Sequence, residues 1–363
     1  MLTEKIFINA FNLVGNIGSV SFKKISSNFS SMESAWQASE QKLKDAGLDE
    51  KIVADIISKR KDIDPKIEFK KLAKNEINII TIKDAEYPQQ LKEIHNPPIA
   101  LYVSGNIKPE DKFSLGVVGS RKPSIYGKQV VAQIVADLVE KGLTIVSGLA
   151  YGIDAIAHRN SIENKGRTLA IIGSGLDRDS LYPSENYNLA RQIIEKNAGA
   201  VISEYPIGTP AFKQHFPMRN RIISGLSLGV IIIEAAEKSG ALITAQHAID
   251  QNREVFAIPG SIYSQNSIGP NKLIQAGAKL VLTANDIFEE LNLEIISARK
   301  QTIEFETKEE NLIFNALSGE STHIDKIVNL TKLDTAMVSA NLTIMEIKGI
   351  IKNIGGMNYI KIN

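Results

Sequence analysis

LTIVSGLAYGIDAIAH, residues 143–158, decides the fold. An apolar, β-favouring run passes through Ser147 into a turn containing Gly148 and Gly152, and an amphipathic stretch with helical spacing follows at once. A strand that ends in a glycine turn and opens a helix presents unpaired N–H groups at the positive end of a helix dipole, which suits phosphate. The amides around Gly148, Ala150 and Gly152 are the expected cradle. The alternative is that the glycines only permit a tight turn and close helix–sheet packing, with Asp154 capping the helix. The spacing matches neither the dinucleotide fingerprint nor a P-loop. Asp154 and His158, four residues apart, read as a polar pair on one helix face more readily than as an acid/base dyad.

Outward from this unit the same alternation repeats. LGVVGS (115–120), TLAIIGSG (168–175), AVISEYP (200–206), GVIIIEA (229–235), EVFAIPG (254–260) and KLVLT (279–283) are strand-like runs separated by helical segments. Near-continuous Val/Ile runs of this kind predict an α/β fold with a doubly wound, mostly parallel, Rossmann-like sheet covered on both faces. A binding crevice is expected along its carboxyl edge. Residues 1–75 read as a small helical domain and 76–296 as the Rossmann-like domain. Residues 297–307 read as a polar linker, and 308–363, three helices followed by a strand pair turning at Gly355–Gly356, as a winged helix.

Composition narrows the function classes. The 363 residues include 42 basic and 41 acidic side chains, so a polyanion site must arise from local clustering. The absence of cysteine excludes disulfides, thiolate catalysis and cysteine-ligated zinc, and fits a cytoplasmic chain. The start, MLTEKIFINAFNLVG, lacks the pattern of a secretory signal, and no apolar run approaches a bilayer span, so no membrane role is expected. No His/Asp/Glu cluster has metal-ligand spacing, and neither a metal nor a cofactor is expected.

Local charge is concentrated in two stretches. In VVGSRKPSIYGK (117–128) the turn at Gly119, Ser120, Arg121 and Lys122 carries positive charge at a strand end, and Arg121 is the expected phosphate fork. In FKQHFPMRNRIISGLS (212–227), Lys213, His215, Arg219 and Arg221 alternate with Phe212 and Phe216, and no acid stands between Glu204 and Glu234. Cations interleaved with aromatics neutralise backbone phosphates and stack bases. The other reading makes Phe216 a core residue and the arginines partners for buried carbonyls. A third small-residue turn, Ser239–Gly240, opens a helix near Thr244. Several such turns along one edge suit an extended polymer.

These residues carry a family resemblance. G-S-R at 119–121, S-G-x-A-x-G-I-D at 147–154, F-P-x-R-N-R-x-I-S-G-L-S at 216–227 and S-G-x-L-x-T-A at 239–245 resemble the DNA-processing protein A family (DprA, also called Smf), over about residues 87–283. The resemblance implies a non-enzymatic protein that binds single-stranded DNA, protects incoming strands in natural transformation and loads the recombinase RecA. Carried to matching positions, it implies a DNA pocket of Arg121, the 148–152 cradle, Lys213, Phe216, Asn220 and Arg221. It also implies a homodimer through 269–281, with Lys272, Leu273, Ile274 and Val281 in the interface. Its N-terminal module resembles the sterile-alpha-motif-like or helix-hairpin-helix-like domain found before this fold. The winged helix carries equal numbers of lysines and acids and no arginine, so it is expected to pack or to contact protein and not to read duplex.

The competing class is an enzyme. The same architecture resembles the lysine-decarboxylase-like phosphoribohydrolases, which carry P-G-G-x-G-T-x-x-E with a catalytic glutamate. The comparable place here reads K-S-G-A-L-I-T-A-Q-H, with His247 where the glutamate belongs. A dinucleotide-dependent oxidoreductase fails on the missing fingerprint.

Overall fold

In the computed structural model, which describes residues 2–15, 17–293, 307–317, 321–347 and 350–361, the apolar runs lie side by side in one sheet. The strands are β1 (Asn78–Thr81), β2 (Ala100–Gly105), β3 (Ser114–Val118), β4 (Thr144–Ser147), β5 (Thr168–Ile172), β6 (Gly199–Ser203), β7 (Gly229–Ile232), β8 (Glu254–Ala257) and β9 (Lys279–Leu280). Their order across the sheet is β1-β2-β6-β5-β4-β3-β7-β8-β9. The pairs β1–β2 and β2–β6 are antiparallel, and the pairs among β3 to β9 are parallel.

The strands are apolar throughout because both faces are covered. Val118, Val146, Val230 and Ile232 face one core, while their neighbours Leu115, Val117, Ile145 and Ile231 face the other. Each such side chain, fully buried, contributes on the order of 1.5–3 kcal/mol.

Six helices precede the sheet: α1 (Leu2–Val14), α2 (Ser19–Asn28), α3 (Met32–Trp36), α4 (Glu40–Asp45), α5 (Glu50–Lys59) and α6 (Pro65–Lys74). Among the strands lie α7 (Gln89–Lys92), α8 (Ile125–Glu140), α9 (Ile153–Glu163), α10 (Tyr187–Glu195), α11 (His215–Leu226), α12 (Gly240–Asp250) and α13 (Ile268–Gln275), and α14 (Ala284–Glu290) follows the last of them. Helix α8 shows the logic: Val131, Ile134, Val135 and Leu138 recur at helical spacing and sink into the second core. None of the helices among the described residues is long and apolar enough to cross a membrane.

The chain winds from β3 to β6 in one direction and from β7 to β9 in the other. The carboxyl ends of β3 and β7 therefore flank the switch point, where open α/β sheets bind ligands.

The N-terminal helices and the sheet's antiparallel edge share one core. Phe11 meets Trp36 edge-on at 5.1 Å, and Ile77, Ile79, Ala100 and Tyr102 close the cluster from the strand side. Tyr102 Oη donates to Asn9 Oδ1 at 2.9 Å. Residues Met1–Ile295 accordingly form one compact unit, across position 75. No strand was expected at β2, because Pro97 and Pro98 directly before it read as loop.

The second unit, Ile296–Asn363, contains α15 (Lys308–Ala316), β10 (Thr322–His323), α16 (Ile324–Thr331), α17 (Thr335–Ile347), β11 (Ile351–Asn353) and β12 (Asn358–Lys361). Its strands pair antiparallel in the order β10-β12-β11 over a core that includes Ile313, Ile327, Val338, Leu342 and Ile351, a winged helix. The expected linker lies outside the described residues except Thr307, whose hydroxyl accepts from Glu310 N at 3.1 Å.

His158 is not paired with Asp154. It is fully buried, and its Nδ1 lies 2.6 Å from Thr168 Oγ1, whose hydroxyl donates to Ile145 O. With that hydroxyl proton committed, Nδ1–H is the donor, and Nε2 stays bare without a hydrogen-bond partner among the described residues. Burial, with Arg219 and Arg159 nearby, lowers its pKa to about 3. A folded-state pKa below the unfolded value gives stability that is present above about pH 6.5 and lost as the pH falls toward 3. Urea midpoints should show about 2 kcal/mol lost from this group between pH 7 and 5, and a His158→Gln variant should lack that loss. Equal slopes in the two proteins would contradict it.

Candidate nucleic-acid interface

The turn after β4 is built for close approach. Gly152 has φ +77°, and a Cβ there would lie 2.3 Å from Ser120 O. Ile153 N donates to that same carbonyl at 3.1 Å, which ties the α9 terminus to the loop after β3. Gly148 N donates to Asp154 Oδ2 at 3.1 Å. The amide that opens the loop is therefore taken by a side chain of α9 itself.

Arg219 lies against the same turn. Its Nη1 donates to Gly148 O at 2.6 Å and to Ile171 O. A Cβ on Gly148 would come within 2.7 Å of Asp154 Oδ2 and 2.8 Å of Arg219 Nη2, so only glycine leaves room for both. Burial pushes the Asp154 carboxyl above its ordinary range, opposed by the Arg219 charge, and burial lowers Arg219 to about 10.

The loop before α8 is likewise held by a carboxylate, while Ser124 Oγ caps the helix by accepting from Gly127 N at 3.1 Å. Glu234, 2% exposed at the end of β7, accepts from Ser124 N at 2.9 Å, Ser124 Oγ at 2.5 Å and Asn266 Nδ2 at 3.3 Å. Asn266 Nδ2 also reaches Lys122 O at 3.1 Å, and Lys122 N donates to Ser120 Oγ at 3.1 Å. The loop carrying Arg121 is thus held from beneath. At α12 the cap is neutral: Ser239 Oγ accepts from Ala241 N at 3.3 Å.

Between these loops runs a groove of about 850 Å³. Its exposed cations are Arg121, Lys213 and Lys238, none of which has an ion-pair partner among the described residues. Phe216 and Tyr182 form its aromatic wall, with centroids 5.7 Å apart. Arg121 Cζ sits 5.5 Å from the Phe216 centroid, and Tyr151 continues the aromatic row 6.5 Å beyond Tyr182. Gly119, Ser120, Ala150, Asp154, Asn220, Ser239, Gly240 and Thr244 also line the groove.

Several expected contacts are corrected. The Gly148 amide serves Asp154 and is not free for an outside phosphate, while Ala150 lines the groove. Ser147, Gly148 and Gly152 lie behind the lining, and Ser147 Oγ donates to Val117 O at 2.6 Å. Arg219 is 4% exposed and braces carbonyls, as the alternative reading had it. Arg221 lies outside the groove, paired with Glu204 at 2.7 Å, and Lys122 is exposed but does not line the groove. Asn220 borders the groove but donates to Gly240 O at 3.2 Å, which fixes the α12 terminus. Val281 is buried in the second core and Leu273 packs against the first, so the exposed apolar side chains near that edge are Leu280 and Leu282.

Tyr182 and Lys238 were missed. Lys238 stands directly before the Ser239 cap, a signal available in the sequence; Tyr182 lies far from the other motifs in a turn-rich segment.

Fold and groove define a Rossmann-type α/β protein with a cationic, aromatic-walled site at the switch point of its sheet. Residues 78–292 match the family model described as DNA recombination-mediator protein A, and 297–357 match the DprA winged helix domain. The chain belongs to the DNA recombination-mediator protein A family. It is 49% identical over 216 residues to DNA processing protein DprA of Bacillus subtilis, covering 59% of this chain and 71% of that one. It is 34% identical to Protein Smf of Synechocystis over 98% of both chains. The crystal structure of DNA processing protein A from Streptococcus pneumoniae superposes with a TM-score of 0.66 at 36% identity, covering 78% of this chain and 97% of that one. The Helicobacter pylori protein, whose structure is described as giving insight into its single-stranded DNA binding mode, gives a TM-score of 0.52 at 29% identity, covering 59% and 96%.

Proposed function

We propose that the chain binds single-stranded DNA without sequence preference in the groove between the β3 and β7 ends, and that it does so without turnover. The observation that carries this reading is the set of three exposed, unpaired cations around the Phe216–Tyr182 wall. A mononucleotide site would use preformed phosphate seats, and the loop amides of Gly148 and Ser124 here are taken by Asp154 and Glu234. Side-chain cations that meet a backbone and aromatics that stack unpaired bases suit a flexible strand. The acids nearest the groove are bonded to amides and are poor candidates for a free base, and His247 Nε2 lies 3.3 Å from Pro217 O. The Helicobacter pylori relative supports the same ligand class.

Strand protection in transformation, RecA loading, a homodimer along the edge that carries Lys272 and Ile274 and a cytoplasmic location belong to this reading through the family likeness.

The test is fluorescence anisotropy of labelled oligothymidine at several salt concentrations, with duplex and nucleoside monophosphates as competitors. With about three cations on phosphates, log K should fall against log salt with a slope near −2. Duplex and mononucleotides should compete poorly. A flat salt response with tight monophosphate binding would overturn the reading in favour of a small-molecule pocket.

A further inference from the structure

Past Arg121 the rim of the groove continues onto a second surface. The first turn of α8 carries Ile125 at 77% and Tyr126 at 45% exposure, and the loop after β8 carries Ile262 at 80% and Tyr263 at 92%. One bare apolar side chain is ordinary; four on two joined segments form a patch that marks a contact surface. The segments are joined by Tyr126 Oη, which donates to Pro259 O at 2.8 Å, and by Asn266 Nδ2, which donates to Lys122 O. They follow the carboxyl ends of β3 and β8, which flank β7 in parallel array, so patch and groove share one edge of the sheet.

Charge selects the occupant. No acid stands between Asp111 and Asp137, or between Glu254 and Asp286, the two stretches that build the patch. Lys122 and Lys128 are exposed there. The nearby acids are committed: Glu234 to Ser124 and Asn266, and Glu237 to Lys272 at 2.5 Å. Aromatics and cations without free acids repeat the chemistry of the groove itself.

We propose that Tyr263, supported by Tyr126, is a second stacking station for an unpaired base of the strand as it leaves the groove, with Lys122 and Lys128 meeting its phosphates. The proposal rests on the single-stranded DNA reading above. It makes the binding site longer than the groove, and Tyr263 matters only to strands long enough to reach it.

Anisotropy with oligothymidines of about 6 and about 20 nucleotides separates the two sites. Tyr263→Ala should leave the short strand's Kd unchanged and raise the long strand's by at least about five-fold, while Tyr263→Phe keeps both. In Tyr263→Trp, the long strand alone should quench the added indole, since the native Trp36 is buried. Unchanged affinity for both lengths in Tyr263→Ala, while Arg121→Ala with Lys213→Ala loses both, would overturn the station and leave the groove. A double variant that still binds both lengths would remove the groove and the station together. Loss of long-strand affinity accompanied by a dimer-to-monomer change in light scattering would also overturn it, because the patch would then join two copies of the chain.

Discussion

Arg121→Ala combined with Lys213→Ala is expected to raise the Kd for oligothymidine by at least about 100-fold while leaving the thermal midpoint within a few degrees. Each side chain is exposed in the groove, and each supplies a charge-assisted contact worth roughly 1.5–3 kcal/mol. Arg121 also faces the Phe216 ring, so its loss weakens the stacking wall as well. The fold should not suffer: the loop is held by Glu234, Asn266 and Ser120, and removing Arg121 relieves a like charge near Arg219. An unchanged Kd in the folded double variant would remove the groove from consideration.

The largest effect on stability is expected at Arg219. Arg219→Ala strips two braced carbonyls of their donor and leaves Asp154 without its counter-charge, a loss of about 3–5 kcal/mol. Asp154→Asn alone should also destabilise, since it leaves Arg219 buried without its anion. The two changes together should cost less than their sum, and urea unfolding of all four proteins measures that coupling. If Arg219→Ala unfolded at the wild-type midpoint and lost only DNA affinity, the guanidinium would be a strand clamp and not a brace.

These two arginines show where sequence reading stops. Both occur in acid-poor stretches beside turns, and periodicity or charge counting treats them alike. What separates them is which side of the sheet edge each reaches, and that depends on a residue remote in sequence: Gly148, whose missing Cβ admits Arg219 to the carbonyls. The sheet was legible because parallel strands buried on both faces leave an unbroken Val/Ile signature. The glycine turns were legible as turns, yet their occupants were not. An internal carboxylate and an external phosphate demand the same backbone amides, and only the hydrogen bonds to Asp154 and Glu234 tell them apart. Tyr182 was hidden because its ring partner, Phe216, lies far along the chain.

The shared core of the N-terminal helices and the sheet edge imposes a schedule on synthesis. Phe11 and Trp36 leave the ribosome early, but Tyr102, which closes their cluster and bonds Asn9, sits on β2, whose far side pairs with β6 as Tyr102 against Ser203. The first helices therefore keep their apolar face incomplete until the chain has been translated beyond Tyr102. That interval is when a nascent chain of this protein is most open to chaperones, and a pause in translation before β2 would lengthen it.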